Sequence, residues 1–176
     1  MTSHTLARFD SSKELQEDCA FCRIVAGQSS AYIVYEDDDN IAFLDILPLR
    51  PGHTLVIPKK HVQQVSHLDA KTAASLSEAL VKTTRVVGRA LGDERLQVIT
   101  NQIYAQLVPH VHFHIVPAAM RPSSKDKSKK PSSSNALAMM GLGHGREELD
   151  DEEAEELCTK MRQAAEQLGR ERNAKL

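Results

Sequence analysis

Residues 107–116 read Leu-Val-Pro-His-Val-His-Phe-His-Ile-Val, with His110, His112 and His114 at alternate positions. In an extended chain, residues i, i+2 and i+4 share one face of the pleat. The spacing predicts a strand over 107–116 with three imidazoles on one surface, each about 6.6 Å of rise from the next. Val111, Phe113 and Ile115 take the opposite face and are candidates for a core. Three of the chain's eight histidines in one alternating run point to chemistry rather than packing. Two chemistries fit the run. In the first, all three ligate a metal, as in tri-histidine zinc sites; in the second, one holds, one attacks and one assists. A neutral imidazole is a good nucleophile toward phosphorus, and a reference pKa of about 6.5 keeps it mostly neutral near pH 7. The spacing alone does not choose between them. Asn101 and Gln106 lie just upstream and offer amide donors suited to phosphate or ribose oxygens.

Outward from this run, the chain alternates short strands with one long helix. Residues 31–36, 41–46 and 53–58 read as strands, separated by the DDDN turn at 37–40 and by Pro48, Pro51 and Gly52. Asp45 is the one charged residue of the second strand. Leu76, Leu80, Val87 and Leu91 recur at helical spacing over 69–92, with Gly92 as a C-cap. A fourth strand is expected at 96–100. A short helix is expected from Cys19 to Gly27, and an amphipathic helix over 147–170 with Leu157, Met161, Ala164 and Leu168 as its stripe. We expect residues 1–15 to be disordered, the histidine domain to span 16–120, and the basic Ser/Lys/Pro stretch 121–135 to be a disordered insert. Residues 136–176 form a C-terminal segment, in which 136–145 pack back without regular structure.

Composition narrows the function. With 176 residues and a formal charge of −2 from 22 basic and 24 acidic side chains, nothing argues for nucleic acid as the main partner. No apolar run approaches membrane-spanning length, and residues 1–18 lack the apolar stretch of a signal peptide. An intracellular, reducing location is therefore expected, cytoplasmic and also nuclear, and disulfides are not. Cys19-Ala-Phe-Cys22 then reads as metal-binding or redox-active. A redox pair usually follows a strand, and none precedes Cys19. A tetrahedral zinc needs two more ligands, and His61 and His110 are better placed than Cys158.

His-Val-His-Phe-His-Ile-Val-Pro at 110–117, preceded by Gln106, resembles the signature of the histidine triad (HIT) family. PGHTLVIPKKH at 51–61, CAFCRIVAG at 19–27 and AFLDI at 42–46 resemble three further blocks, in matching order and spacing, and the Cys pair is similar to the zinc-carrying Hint branch of microbes. The resemblance implies an α+β fold: an antiparallel sheet of about five strands, two main helices and here a C-terminal helix. It further implies a homodimer whose sheets join edge to edge. The implied activity is hydrolysis at the α-phosphate of purine nucleoside 5′-phosphoramidates or adenylates. His112 would form a nucleotidyl-histidine, with His114 on the phosphate or leaving group. His110 would orient His112 and ligate zinc with Cys19, Cys22 and His61, and His53 would support the triad. Asp45 would receive the ribose hydroxyls, Phe43 and Ile46 would flank the base, and Phe21 and Ile24 could join them. Asn101 and Gln106 would bind ribose or phosphate. Two departures bear on the leaving group: Ala105 stands where the family often has Gly, and Leu107 where animal members carry Ser. Alternatives are a diadenosine polyphosphate hydrolase of the Fhit branch and a nucleotide-binding regulatory module with slow turnover.

Overall fold

A computed structural model describes residues 15–118 and 147–173. Strands β1 (Ile33–Glu36), β2 (Asn40–Leu44), β3 (Thr54–Pro58), β4 (Leu96–Thr100) and β5 (Phe113–Pro117) form one sheet in the order β1-β2-β3-β5-β4, antiparallel throughout. Among the described residues three α-helices accompany it: α1 (Ala20–Val25), α2 (Ala70–Leu91) and α3 (Asp151–Asn173), with a 3-10 turn at Val65–His67. The α+β architecture expected from the resemblance is present. The basic stretch 121–135 and the segment 136–145 lie outside the described residues, as does most of the N-terminal stretch 1–15.

Alternation splits the sheet into two cores. Val34, Ala42, Leu44, Val56, Val111 and Ile115 face α2 and α3. Ile41, Phe43, Leu55 and Ile57 face the other way, under α1 and its Cys19, Phe21, Cys22 and Val25. Helix α2 starts where Asp69 accepts the Thr72 amide at 2.8 Å and stops at Gly92, whose φ of 65° suits a residue without a Cβ. Its buried stripe is Leu76, Ala79, Thr83, Val86 and Val87. Helix α3 buries Ala154, Leu157, Cys158, Met161 and Ala164 against the same core. It also covers the edge strand β1: the Arg162 guanidinium donates twice to the Ile33 carbonyl, at 2.8 and 3.1 Å.

Two expectations need correction. The fifth strand begins at Phe113, not at 107. Pro109 has no N–H to give, the His110 amide turns back to the Val108 carbonyl at 2.8 Å, and the Val111 amide goes to Val62, beyond the end of β3. His110 and His112 thus sit on an extended lead-in, and only His114 lies within a strand. The second strand ends at Leu44, so Asp45 and Ile46 lie just past it. Asp45 opens a turn, accepting the Leu47 amide on Oδ1 at 3.0 Å while its own amide still donates to the His53 carbonyl at 2.9 Å.

Candidate active site and metal corner

The register sets out the site. Leu44 pairs with Thr54 and Thr54 with Ile115, which puts Asp45 and His53 beyond one end of the sheet. Val56 and Thr100 both pair with Phe113, where the pairing of β5 begins, so His112 and His110 lie upstream of it beside the Ile57–Pro58 end of β3, after the β4–β5 loop. His114, paired with Leu55 and Ile99, lies between. The three histidines do share a surface. The rings of His112 and His114 are 5.0 Å apart, and Phe21 meets His110 and His112 edge-on at 5.8 and 5.3 Å.

Hydrogen bonds assign the protons of the neutral rings. A carbonyl only accepts, so the 2.6 Å contact from His112 Nδ1 to the His110 carbonyl puts the proton of His112 on Nδ1 and its lone pair on Nε2. His110 Nε2 likewise donates to the Pro58 carbonyl at 2.8 Å, leaving a lone pair on Nδ1. A backbone N–H only donates. The Leu49 amide, 3.1 Å from His53 Nδ1, therefore sets the proton of His53 on Nε2. That proton goes to His114 Nδ1 at 3.0 Å, and His114 carries its own on Nε2. Asp45 Oδ2 stands 3.4 Å from His53 Nδ1. Burial lowers the pKa of His112 from its ordinary value, against the opposing effects of the His110 carbonyl and the Asp45 charge. Its neutral form is thus favoured.

On the lone-pair side of His110 the donors converge. His110 Nδ1 lies 3.6 Å from Cys19 Sγ and 3.7 Å from Cys22 Sγ, and His61 Nδ1 lies 3.3 Å from Cys22 Sγ. One ligand atom from each of the four residues falls within 4.8 Å of all the others, so the group could hold a metal. Zn–S bonds of about 2.3 Å and Zn–N bonds of about 2.0–2.1 Å at tetrahedral angles put S and N roughly 3.6 Å apart, which these separations match. Burial pushes the Cys22 thiol up to about 11 and His110 down to about 4, so both stay neutral until something positive arrives. A cation would reverse that preference for the thiols. Asp45, His53 and His114 also bring three ligand atoms within 4.8 Å, although the His53–His114 hydrogen bond already accounts for that proximity.

The remaining sequence-derived residues are placed less uniformly. Phe43 is buried on β2, edge-on to Phe21 at 5.6 Å, in the same apolar cluster as Cys19 and Cys22. Ile46 is exposed beside Asp45, and Ile24 is half-buried on α1. Asn101 directly follows β4. The Gln106 amide braces its own loop: Oε1 accepts the Ile103 N–H at 2.9 Å and Nε2 donates to the Gln63 carbonyl at 2.8 Å. Sequence reasoning missed the Leu49 amide, which acts through its main chain and so leaves no mark in residue type. It also missed Thr100, whose hydroxyl donates to the His112 carbonyl at 2.9 Å.

An antiparallel sheet that lines up His110, His112 and His114 beside a thiol-imidazole corner defines a histidine-triad type of α+β protein. Residues 26–120 match the family model described as "HIT domain", and the chain belongs to that family. The adenosine 5′-monophosphoramidase hnt1 of Schizosaccharomyces pombe is 40% identical over 101 residues, 56% of this chain and 73% of the relative. The crystal structure of a hypothetical histidine triad nucleotide-binding protein from Sulfolobus tokodaii is 32% identical with a TM-score of 0.70, covering 85% of this chain and 93% of the other. A Zn-bound histidine triad protein from Mycobacterium smegmatis is 30% identical with a TM-score of 0.65, covering 86% and 96%. No helix among the described residues is long and apolar enough to cross a membrane.

Proposed function

We propose that the protein is a nucleotide hydrolase that cleaves purine nucleoside 5′-phosphoramidates or adenylates at the α-phosphate through a nucleotidyl-His112 intermediate. The observation that carries this is the pair of proton assignments: a lone pair on His112 Nε2 and a proton on His114 Nε2, with the two rings 5.0 Å apart. The lone pair of His112 Nε2 forms the N–P bond as the bond from phosphorus to the leaving nitrogen or oxygen breaks. The departing atom keeps that electron pair and takes a proton from Nε2 of His114 in its imidazolium form, which is left as the neutral ring. Water then attacks phosphorus, the N–P pair returns to His112, and the proton of water restores His114. Two moderate displacements replace one hard one, and the surrounding donors stabilise the spread charge. His110 and His53 act as positioning residues, His110 through its carbonyl and His53 through its Nε2–H.

Asp45 would take the ribose hydroxyls, with Ile46 and Phe43 beside the base and Asn101 and Gln106 toward ribose and phosphate. Gln106 retains a second amide hydrogen for that purpose while it braces the loop. Cys19, Cys22, His61 and His110 would hold a structural zinc, which makes the corner rigid when bound. We further propose a homodimer joined through β4, since Arg162 occupies the carbonyl of the other edge strand and Val98 on β4 is exposed. Residues 16–120 would be the functional domain, working in a reducing compartment, cytoplasmic or nuclear, where Cys19 and Cys22 stay thiols.

The test is AMP release from adenosine 5′-phosphoramidate. The wild type should turn over, and His112→Ala should lose activity by several orders of magnitude. Diadenosine polyphosphate cleaved in strong preference to the phosphoramidate would move the protein to the Fhit-like alternative. Tight nucleotide binding with negligible turnover would leave a regulatory module.

A further inference from the structure

The stretch from His110 to His112 is held chiefly by main-chain acceptors. The ring Nδ1–H of His112 rests on the His110 carbonyl at 2.6 Å, and the Val111 amide donates to the Val62 carbonyl at 2.7 Å. His110 itself is pinned by its amide to the Val108 carbonyl and by its ring to the Pro58 carbonyl, both at 2.8 Å. None of these acceptors depends on which side chain its residue carries. One bond is of another kind: the Thr100 hydroxyl, on the last residue of β4, donates to the His112 carbonyl at 2.9 Å. It sits where the ladder between β4 and β5 gives out, because Thr100 pairs with Phe113 and His112 precedes the first paired residue.

The same bond closes the neck of a strained loop. Between β4 and β5, Ile103 and Ala105 hold φ of 62° and 58°, the left-handed region that a β-branched residue such as Ile rarely enters. Strain of that kind persists only where neighbours hold it. Gln106 ties the Ile103 amide to the Gln63 carbonyl, and the Ser66 amide donates to Gln102 Oε1 at 3.2 Å. Those braces act within the loop; at its neck the Thr100 hydroxyl joins the strand to the nucleophile. Rotation of the peptide after His112 would carry the Cα–Cβ bond with it. Nε2 lies at the far side of the ring from Cβ, so a small turn of the main chain becomes a larger swing of the lone pair.

We infer that Thr100 is a positioning residue for nucleotidyl transfer: its hydroxyl fixes the main chain of His112 so that Nε2 is aimed at phosphorus. The inference rests on the nucleotide-hydrolase reading and adds a residue to its machinery, one that acts through His112. Thr100 is half-buried at a strand end, where a β-branched side chain also has the ordinary use of fitting a pleated surface. The two uses separate by substitution. Valine keeps the branch and drops the hydroxyl, whereas serine keeps the hydroxyl and drops the branch.

The experiment measures single-turnover adenylylation of His112 from adenosine 5′-phosphoramidate, with enzyme in excess, and AMP affinity by calorimetry. Wild type, Thr100→Val and Thr100→Ser are compared. A misplacement of about 1 Å costs on the order of 10²-fold, and one lost hydrogen bond shifts the ring by less, so Thr100→Val should slow adenylylation by roughly tenfold. Its AMP affinity should change by no more than about twofold, because the hydroxyl serves the transition state and not ground-state binding. Thr100→Ser should recover most of the rate. Should Thr100→Val melt below the assay temperature, Thr100→Ala set against Thr100→Ser carries the same comparison. A variant without the hydroxyl that reacts as fast as wild type would overturn the inference and leave the hydrolase reading in place. So would a serine variant as slow as the valine one, or a loss of AMP affinity that accounts for the whole effect. A wild type that binds AMP but does not label His112 would overturn the hydrolase reading, and the inference with it.

Discussion

His110 and His114 stand four residues apart in one alternating run, and their surroundings differ in kind. His110 is fully buried, with one ring nitrogen on the Pro58 carbonyl and the other against two thiols. His114 is half-buried, reached through His53 from the turn that carries Asp45 and Leu49. The same imidazole thus offers a lone pair to a group that could hold a metal at one end of the row and, in the proposed function, a proton to the leaving group at the other. What differs is which nitrogen the neighbours leave with the lone pair. His112 joins the two, since its Nδ1–H rests on the main chain of His110 and its ring faces that of His114.

The comparison makes opposed predictions for the two ends. Replacing Cys19 and Cys22 together by Ser should abolish metal binding and cost about 4 kcal/mol or more of stability, as loss of a structural metal does. Thermal melting alongside metal analysis checks both, and an unchanged melting temperature with zinc absent would remove the structural role of the corner. At the other end, His114→Ala should reduce kcat/KM by roughly 10² to 10⁴, the range for a general acid, while metal content stays the same. His53→Phe should act in the same direction through His114 but less, by roughly 10- to 100-fold, and His53→Gln, which keeps an N–H for His114 Nδ1, should recover part of the loss. If His53→Phe changed metal content, the two ends would not be separable.

A smaller effect concerns protons at the buried end. The Cys22 thiol is held up to about 11 by burial, so in metal-free protein at pH 7 it is protonated. Zinc binds thiolate. Loading zinc into metal-free protein should therefore release protons, and apparent zinc affinity should fall as pH is lowered. Proton release is read in weakly buffered solution with a pH indicator. Zinc uptake without it would mean that the thiols are not ligands.

Much of this was legible from residue type. Helix α2 was placed within a residue at each end because Asp69 and Gly92 act locally, as an N-cap acceptor and a left-handed C-cap. That Cys19 and Cys22 would come together with His61 and His110 was also legible, because a Cys pair needs partners and those two histidines were the suitable ones. Alternation read the direction of the histidine side chains correctly and the strand's start wrongly. Side-chain alternation requires only extended backbone, whereas pairing requires N–H groups opposite a neighbour, and Pro109 and the Val111–Val62 bond remove them. Asp45 was drawn into a strand by its apolar neighbours although its carboxylate organises the turn. The strained backbone at Ile103 and Ala105 was illegible, because left-handed conformation is signalled by Gly or Asn and neither stands there.

The most direct test of the account is to mix the protein with an adenosine 5′-phosphoramidate, quench during turnover under conditions that preserve P–N bonds, and map the modified residue by mass spectrometry. The account predicts a peptide heavier by one adenylyl group attached to His112, absent in His112→Ala. Turnover with an unmodified His112, or with the adenylyl group on His114 or His110, would contradict it.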